Sequence, residues 1–453
     1  MPSARLDALP SHRRVSAFRL TALLAALAAV CVDGSGLVAT ADAQSFRPRS
    51  LSRSPLPRDS QLAPLGLERA WWGQAPVSFG RDEIVEIFSD EDNVYTISRQ
   101  GLVSGFNAET GQRLFSSLLG SESRRAQSPT TNATTFLIPV GMQLIALDKF
   151  SGDELWKLDL EGQPSCGPGT DDDRVYVGTV DGSVYAYNLR RIKELFDDAR
   201  LPQFSHIARE WRFQAFGSVT APPVSTGRDL NFATQKGVMY GVTAIDRGLL
   251  YQFMTDGQII APVTRAGDRV LIPSTDLNLY CIDNQNGQLQ WTYLTATTVL
   301  TAPRLIGDQV FVQPQRRGLV AVDVETGRED WRQPTARELL AGTPSRVYAD
   351  ATGGRIVSLS RETGDITDEV ALPAFTIRSG NERTDRIYLA TPNGLVVCLR
   401  ETGRDFPLYY RYPDRRPLTP ELYDPERHGE PMPAEGEGDV EGDDDLGEDA
   451  PEV

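Results

Sequence analysis

Ala321-Val322-Asp323-Val324-Glu325-Thr326-Gly327-Arg328-Glu329-Asp330-Trp331 carries a local pattern that recurs along the chain. An alternating run ends at an Asp, a Thr-Gly turn follows, and an aromatic stands four residues past the glycine. The pattern recurs in Ala146 to Trp156 and in Cys281 to Trp291. Its turn glycine repeats at Gly111, Gly152, Gly248, Gly287, Gly327, Gly364 and Gly403, in steps of 41, 96, 39, 40, 37 and 39. A second marker, a small residue followed by proline, repeats at Pro129, Pro168, Pro222, Pro262, Pro303 and Pro344, in steps of 39, 54, 40, 41 and 41. Each series has its one long step in the same region, and both give a period of about 40 residues, the signature of stacked repeat units.

Within a unit the pattern is β. Arg174 to Gly178 and Ser183 to Tyr187 are short alternating runs joined by Asp181-Gly182, a hairpin signal. Equivalent hairpins span Asn93 to Asn107, Thr135 to Asp148, Asn231 to Val242, Val270 to Asp283, Val310 to Asp323, Val347 to Ser360 and Ile387 to Leu399, which makes eight. A proline-headed strand precedes the hairpin in the middle units. A strand bearing Phe115, Trp156, Trp291 or Trp331 follows it. Four short strands in each of eight repeats predict an all-β chain, an eight-bladed β-propeller of four-stranded antiparallel blades. Closing such a ring removes most exposed strand edges. Leu67 to Gln74, with Trp71 and Trp72, reads as the fourth strand of a blade whose other three strands come from the last repeat, so it is expected to lock the ring. A tryptophan pair at a membrane interface is the alternative for this segment.

The three quoted repeats resemble the pyrroloquinoline-quinone-like propeller repeat, shared by quinoprotein dehydrogenases and by the BamB-like propellers of outer-membrane β-barrel assembly. The resemblance covers about three quarters of the chain. It implies that the small residue and the aromatics Phe115, Trp156, Trp291 and Trp331 pack between neighbouring blades. For function it offers two branches, an enzyme with a bound quinone or a non-catalytic scaffold.

Outside the repeats the chain divides by composition. Arg13, Arg14 and Arg19 precede a 13-residue apolar run, Leu20 to Val32, and Ala41-Asp42-Ala43 offers a small-x-small cleavage site. Residues 1–43 are therefore expected to be a secretory signal, making the mature chain periplasmic or otherwise extracytoplasmic. Cys31 offers an alternative lipoprotein-type start. Residues 44–66, rich in Arg, Ser and Pro, read as a flexible linker, 67–410 as the propeller, and 411–453 as a disordered acidic tail. The net charge of −16 owes eleven acids to residues 429–453, which leaves −5 on the rest. So balanced a body excludes nucleic acid as a partner class.

Three histidines, His12, His206 and His428, exclude multi-imidazole metal sites and leave little for a catalytic triad. No two cysteines are adjacent, as the quinone-binding branch would require, and no repeat shows a calcium-ligand set. No cofactor is expected, and the quinone in particular is not. The acidic turns Ser89 to Asn93 and Asp171 to Asp173 read as solvated hairpin tips. The long step between repeats holds Leu189, Ile192, Leu195, Phe196 and Ala199 at helical spacing, with Pro202 ending the run. This predicts an amphipathic helix inserted between the third and fourth strands of blade 3. It is either a cap on its own blade or a docking element using Arg190, Arg191, Ile192, Leu195 and Phe196, and its removal is expected to leave the fold largely intact. The expected function is a monomeric, non-catalytic extracytoplasmic scaffold binding protein partners of the cell envelope, such as the β-barrel assembly machinery. The alternatives are a quinone-dependent oxidoreductase and a ligand-binding or sensory propeller.

Overall fold

The computed structural model describes residues 55–410, except 122, 123 and 125. The signal segment 1–43, Cys31, His12, His428 and the acidic tail 411–453 lie outside the described residues.

The described residues build eight four-stranded antiparallel sheets. Blade 1 shows the plan: Ile84–Ser89, Asn93–Ser98, Leu102–Asn107 and Arg113–Leu118, each hydrogen bonded to the next. The second and third strands are buried on both faces because they lie between neighbouring blades; Asn93–Ser98 has no exposed residue. The first strands line the central channel and are often only two or three residues long, as in Thr130–Thr131 and Thr264–Ala266. All eight hairpins lie where the alternation predicts them. One marker is out of phase: Pro344 follows the first strand of blade 7, Ala336–Gly342, whereas the other marker prolines precede theirs. The period survived because the displacement is only a few residues.

The eighth blade is made from both ends of the propeller. Leu67–Gln74 pairs antiparallel with Leu395–Glu401, with Trp71 opposite Cys398, and completes the sheet begun by Ile377–Arg378 and Ile387–Ala390. Trp71 is buried and Trp72 is exposed.

The aromatic of each fourth strand faces a small residue of the third. The pairs are Phe115 with Gly105, Trp156 with Ala146, Trp211 with Ala186, Tyr251 with Gly241, Trp291 with Cys281 and Trp331 with Ala321. The reason is space. A Cβ at Gly241 would stand 2.3 Å from the Tyr251 ring. Each ring also reaches the next blade: Trp71, Trp211, Trp291 and Trp331 donate their indole N–H to the carbonyls of Ala108, Ala244, Val324 and Arg361. Gly327 lies under Trp291 with a positive φ of 69°, so a side chain there would be both strained and blocked. In blade 4 the left-handed residue is Arg247, φ 58°, not Gly248; counting from Arg247 makes Tyr251 the interblade aromatic.

Blade 7 breaks the pattern. Opposite Ser358 stands Asp368, which is exposed, and the fourth strand Ile366–Ala371 has no buried residue. The seam to blade 8 is filled from the amino-terminal side. A short helix α1 (Asp59–Leu62) and a 3-10 turn (Ala63–Leu65) insert Leu62 and Leu65, both fully buried, beside Leu340, Tyr348, Leu372 and Phe375. The Leu65 carbonyl accepts from Arg346 and from the Tyr348 hydroxyl, and the Gly66 carbonyl accepts from the Thr402 amide. The described part of the expected 44–66 linker is therefore ordered, because a missing aromatic leaves apolar surface that these leucines cover.

Candidate functional site

Antiparallel blades place every connection on one of two faces. First-to-second and third-to-fourth strand connections share one face, here the helix face; second-to-third and interblade connections share the other, the platform face.

On the platform face, the interblade loops entering blades 3 to 6 are tied to the next blade's hairpin by backbone bonds. The amides of Val180, Gln235, Thr275 and Gln315 donate to the carbonyls of Gln163, Ser218, Gln258 and Thr298. Side chains add to this. The Thr255 and Thr295 hydroxyls each lie within hydrogen-bond distance of two carbonyls that share the one proton, Thr220 donates to the Ile259 carbonyl, and Asp276 accepts from the Gly257 amide. These ties fix the loops, so the apolar side chains they leave in solvent are held rather than mobile. Over blades 3 to 6 these are Val180, Phe216, Ile260, Leu277 and Leu300 on the loops, joined by Met254 and Leu294 at the last residues of fourth strands, with Phe216 67%, Met254 66% and Leu294 63% exposed. The Phe216 amide donates to the Tyr240 hydroxyl, which sets the ring outward. A series of large apolar side chains on fixed loops is what a protein-binding surface requires.

The helix face is more polar. Its channel mouth holds a cavity of about 1110 Å³ lined by Ser225, Thr264, Arg265 and Leu305 of blades 4 to 6 and by Pro407 to Tyr410, which cross the opening. Tyr409 donates to Glu109 and Tyr410 to the Gly342 carbonyl, so this segment ties distant blades together. Asp90, Glu91 and Asp92, expected as a solvated tip, are buried. Lys149 of blade 2 pairs with Asp90 and Asp92, and Arg383 of blade 8 pairs with Glu91, so these acids are interblade staples. Asp171 likewise accepts from Tyr176 and Ser225, whereas Asp172 and Asp173 are exposed.

The insertion forms helix α2 (Leu189–Asp197), capped by the Asn188 side chain accepting from the Arg191 amide. Ile192 and Leu195 are buried against Trp156, Leu158, Val175 and Tyr187. Those two members of the expected docking set are thus core residues; Arg190, Arg191 and Phe196 are the exposed ones. Sequence reasoning missed Trp211 and Tyr251 as interblade aromatics. The insertion displaced the turn that would have marked Trp211, and the Arg247–Gly248 shift hid Tyr251.

Residues that could hold a quinone or a metal are few. Cys166, Cys281 and Cys398 are free and lie on three different blades, and burial pushes each thiol up to about 12. Among the described residues no group of three or more His, Cys, Asp or Glu side chains is placed to hold a metal ion. The three described cysteines form no adjacent pair of the kind the quinone-binding branch uses.

With this geometry in view, the comparison with known families is direct. A family model described as outer membrane protein assembly factor BamB matches residues 99–197 and 211–399. The chain belongs to this family. The gap in the match, between residues 197 and 211, falls at the end of the insertion. No curated protein matches the chain. Among solved structures it is similar to BamB from Moraxella catarrhalis, with TM-score 0.57 and 16% identity over 74% of this chain and 98% of that one. It is similar to the same degree to the computationally designed Ika8 protein, TM-score 0.57 and 15% identity over 72% and 99% of the two chains. At such identities the BamB likeness is one of fold.

Proposed function

We propose that the chain is a non-catalytic, extracytoplasmic scaffold that binds a protein of the outer-membrane β-barrel assembly machinery through its platform face. The observation that carries this reading is the set of Val180, Phe216, Met254, Leu277, Leu294 and Leu300 on cross-tied loops and the strand ends beside them, in a chain of the BamB family. Rigid display lowers the ordering cost of association, so modest apolar area suffices. The amino-terminal leader supports export, with processing after Ala43 and Gln44 as first residue. The mature scaffold is a monomer. Among the described residues no helix is long and apolar enough to cross a membrane.

The test is reconstitution with the barrel-assembly subunits of the source outer membrane, identified by mass. Capture by the wild type and its loss in Phe216→Glu/Met254→Glu/Leu294→Glu, with an unchanged circular dichroism spectrum, supports the reading. Undiminished capture by the triple variant, or no capture of these subunits by the wild type, overturns it. Intact mass of the exported protein tests processing: a lipid-modified Cys31 at the start overturns the Gln44 assignment. Stoichiometric quinone uptake with dye-linked alcohol or sugar oxidation would establish the enzyme alternative instead.

A further inference from the structure

Four interblade tryptophans donate their indole N–H to a carbonyl in the third-to-fourth strand turn of the next blade. Trp156 of blade 2 makes no such bond, and in blade 3 that turn is replaced by α2. Trp156 is 6% exposed, and among the described residues its indole N–H has no hydrogen-bond partner. The N–H is not fully enclosed and opens to the space beside it. Trp156 lines that space, a half-enclosed groove of about 470 Å³ on the helix face. An indole N–H is a donor only, and one this well covered ordinarily finds an acceptor.

The groove supplies further donors. Arg190 and Lys193 of α2 line it, both exposed, and neither makes an ion pair or side-chain hydrogen bond among the described residues. Phe196, 47% exposed, adds an apolar wall. The first-to-second strand connection of blade 3 contributes Asp172 and Asp173, whose carboxylates make no ion pair or hydrogen bond among the described residues, and Asp197 lies at the last residue of α2. Both groove cations are on the helix, and two of the three groove acids, Asp172 and Asp173, are on the loop, with Asp197 at the far end of the helix. An acceptor group suits the side of Trp156, Arg190 and Lys193; a basic or neutral group suits the loop side.

We infer that this groove is a second protein-binding site, independent of the platform face, taking an extended peptide segment of a partner. An apolar side chain packs on Phe196, and an adjacent Asp or Glu carboxylate accepts from the Trp156 N–H between Arg190 and Lys193. Ile192 and Leu195 serve the site from below by holding α2 on the seam of blades 2 and 3.

The experiment uses the full mature chain and a linear 12-residue peptide library displayed on phage. Enrichment of sequences with a large apolar residue beside Asp or Glu is expected. Selective ¹⁵N-tryptophan labelling gives each indole N–H its own cross-peak, and Trp156→Phe assigns that of Trp156; blade 1 carries Phe115 at the same register, so the substitution suits the fold. In the free protein the Trp156 indole should exchange with D₂O faster than those of Trp71, Trp211, Trp291 and Trp331. A synthetic enriched peptide should shift the Trp156 peak downfield, and Arg190→Glu/Lys193→Glu should weaken its binding at least tenfold. The inference is overturned if no acid-bearing peptide is enriched, if binding survives Arg190→Glu/Lys193→Glu, or if the Trp156 peak does not move. The platform variant Phe216→Glu/Met254→Glu/Leu294→Glu should keep peptide binding, and Arg190→Glu/Lys193→Glu should keep capture of barrel-assembly subunits, so failure of either proposal is read separately.

Discussion

Trp291 shows how much one residue contributes to a seam. Its ring covers Gly327 of the next blade and its N–H reaches the Val324 carbonyl at 3.0 Å. Trp291→Phe keeps most of the packing and leaves the carbonyl without its donor, so it should cost about 1 kcal/mol. Trp291→Ala also opens a cavity and should cost about 3–5 kcal/mol. Urea unfolding distinguishes the two, and equal costs would mean that the ring does not pack as described. A second residue-scale expectation concerns pH. Burial on the inner strand of blade 7 pushes the Glu338 carboxyl above the ordinary carboxylate range, with Arg304 offsetting part of this. A raised folded-state pKa means that the folded protein binds the proton more tightly than the unfolded chain. The contribution to stability is therefore present below the ordinary carboxylate pKa and is lost as pH rises through the raised value. Glu338→Gln should raise Tm at about pH 8 more than at about pH 4, and melts across that range test it; an equal shift at both ends would contradict the assignment.

At the scale of elements, the two short helices have opposite histories in the sequence and similar roles in the structure. Residues 44–66 read as a linker because Arg, Ser and Pro dominate them, and a helical turn of four residues has no periodicity to detect. Its leucines became necessary only because Asp368 stands where an aromatic belongs, and that vacancy lies some 300 residues away in the chain. The α2 insertion was legible as a helix from its apolar spacing, but the spacing could not tell whether the stripe faced its own blade or a partner. With Ile192 and Leu195 fully packed, the helix is a cap, and its removal costs more than loop closure alone. Leu65→Ala and Ile192→Ala should each destabilise by about 2–5 kcal/mol. Arg191→Ala, on the exposed side of the same helix, should stay within about 0.5 kcal/mol. Denaturant midpoints of the three variants check this, and a neutral Ile192→Ala would return α2 to the status of an appendage.

For the whole molecule, eight blades were countable because turn glycine, hairpin alternation and aromatic repeat with one period, and each is a local demand of backbone or packing. The site was far less legible. Exposed Phe216, Met254 and Leu294 have no distinguishing neighbours in sequence, since the fixed platform arises from bonds between consecutive blades. The unpartnered indole of Trp156 is visible only by comparing it with four bonded ones. Ring integrity gives the prediction at this scale. Deleting residues 55–74 removes both the seam filler and the closing strand, and leaves Leu395–Glu401 as a bare edge. Hydrogen exchange should show protection lost first in blades 7 and 8, with a lower denaturant midpoint for the whole chain. Uniform protection in that variant would refute closure by this strand.

The shared eighth blade also orders events in time. The strand Leu67–Gln74 is synthesised first, and its partner Leu395–Glu401 only after roughly 320 further residues, on the order of tens of seconds at about 5–20 residues per second. During that interval a strand edge with two tryptophans has no mate, and neither end of the nascent arc is sealed. The eighth blade cannot form until Leu395–Glu401 has been made, so closure acts as a completeness check on the propeller: a chain stopped before that strand has blades but no ring.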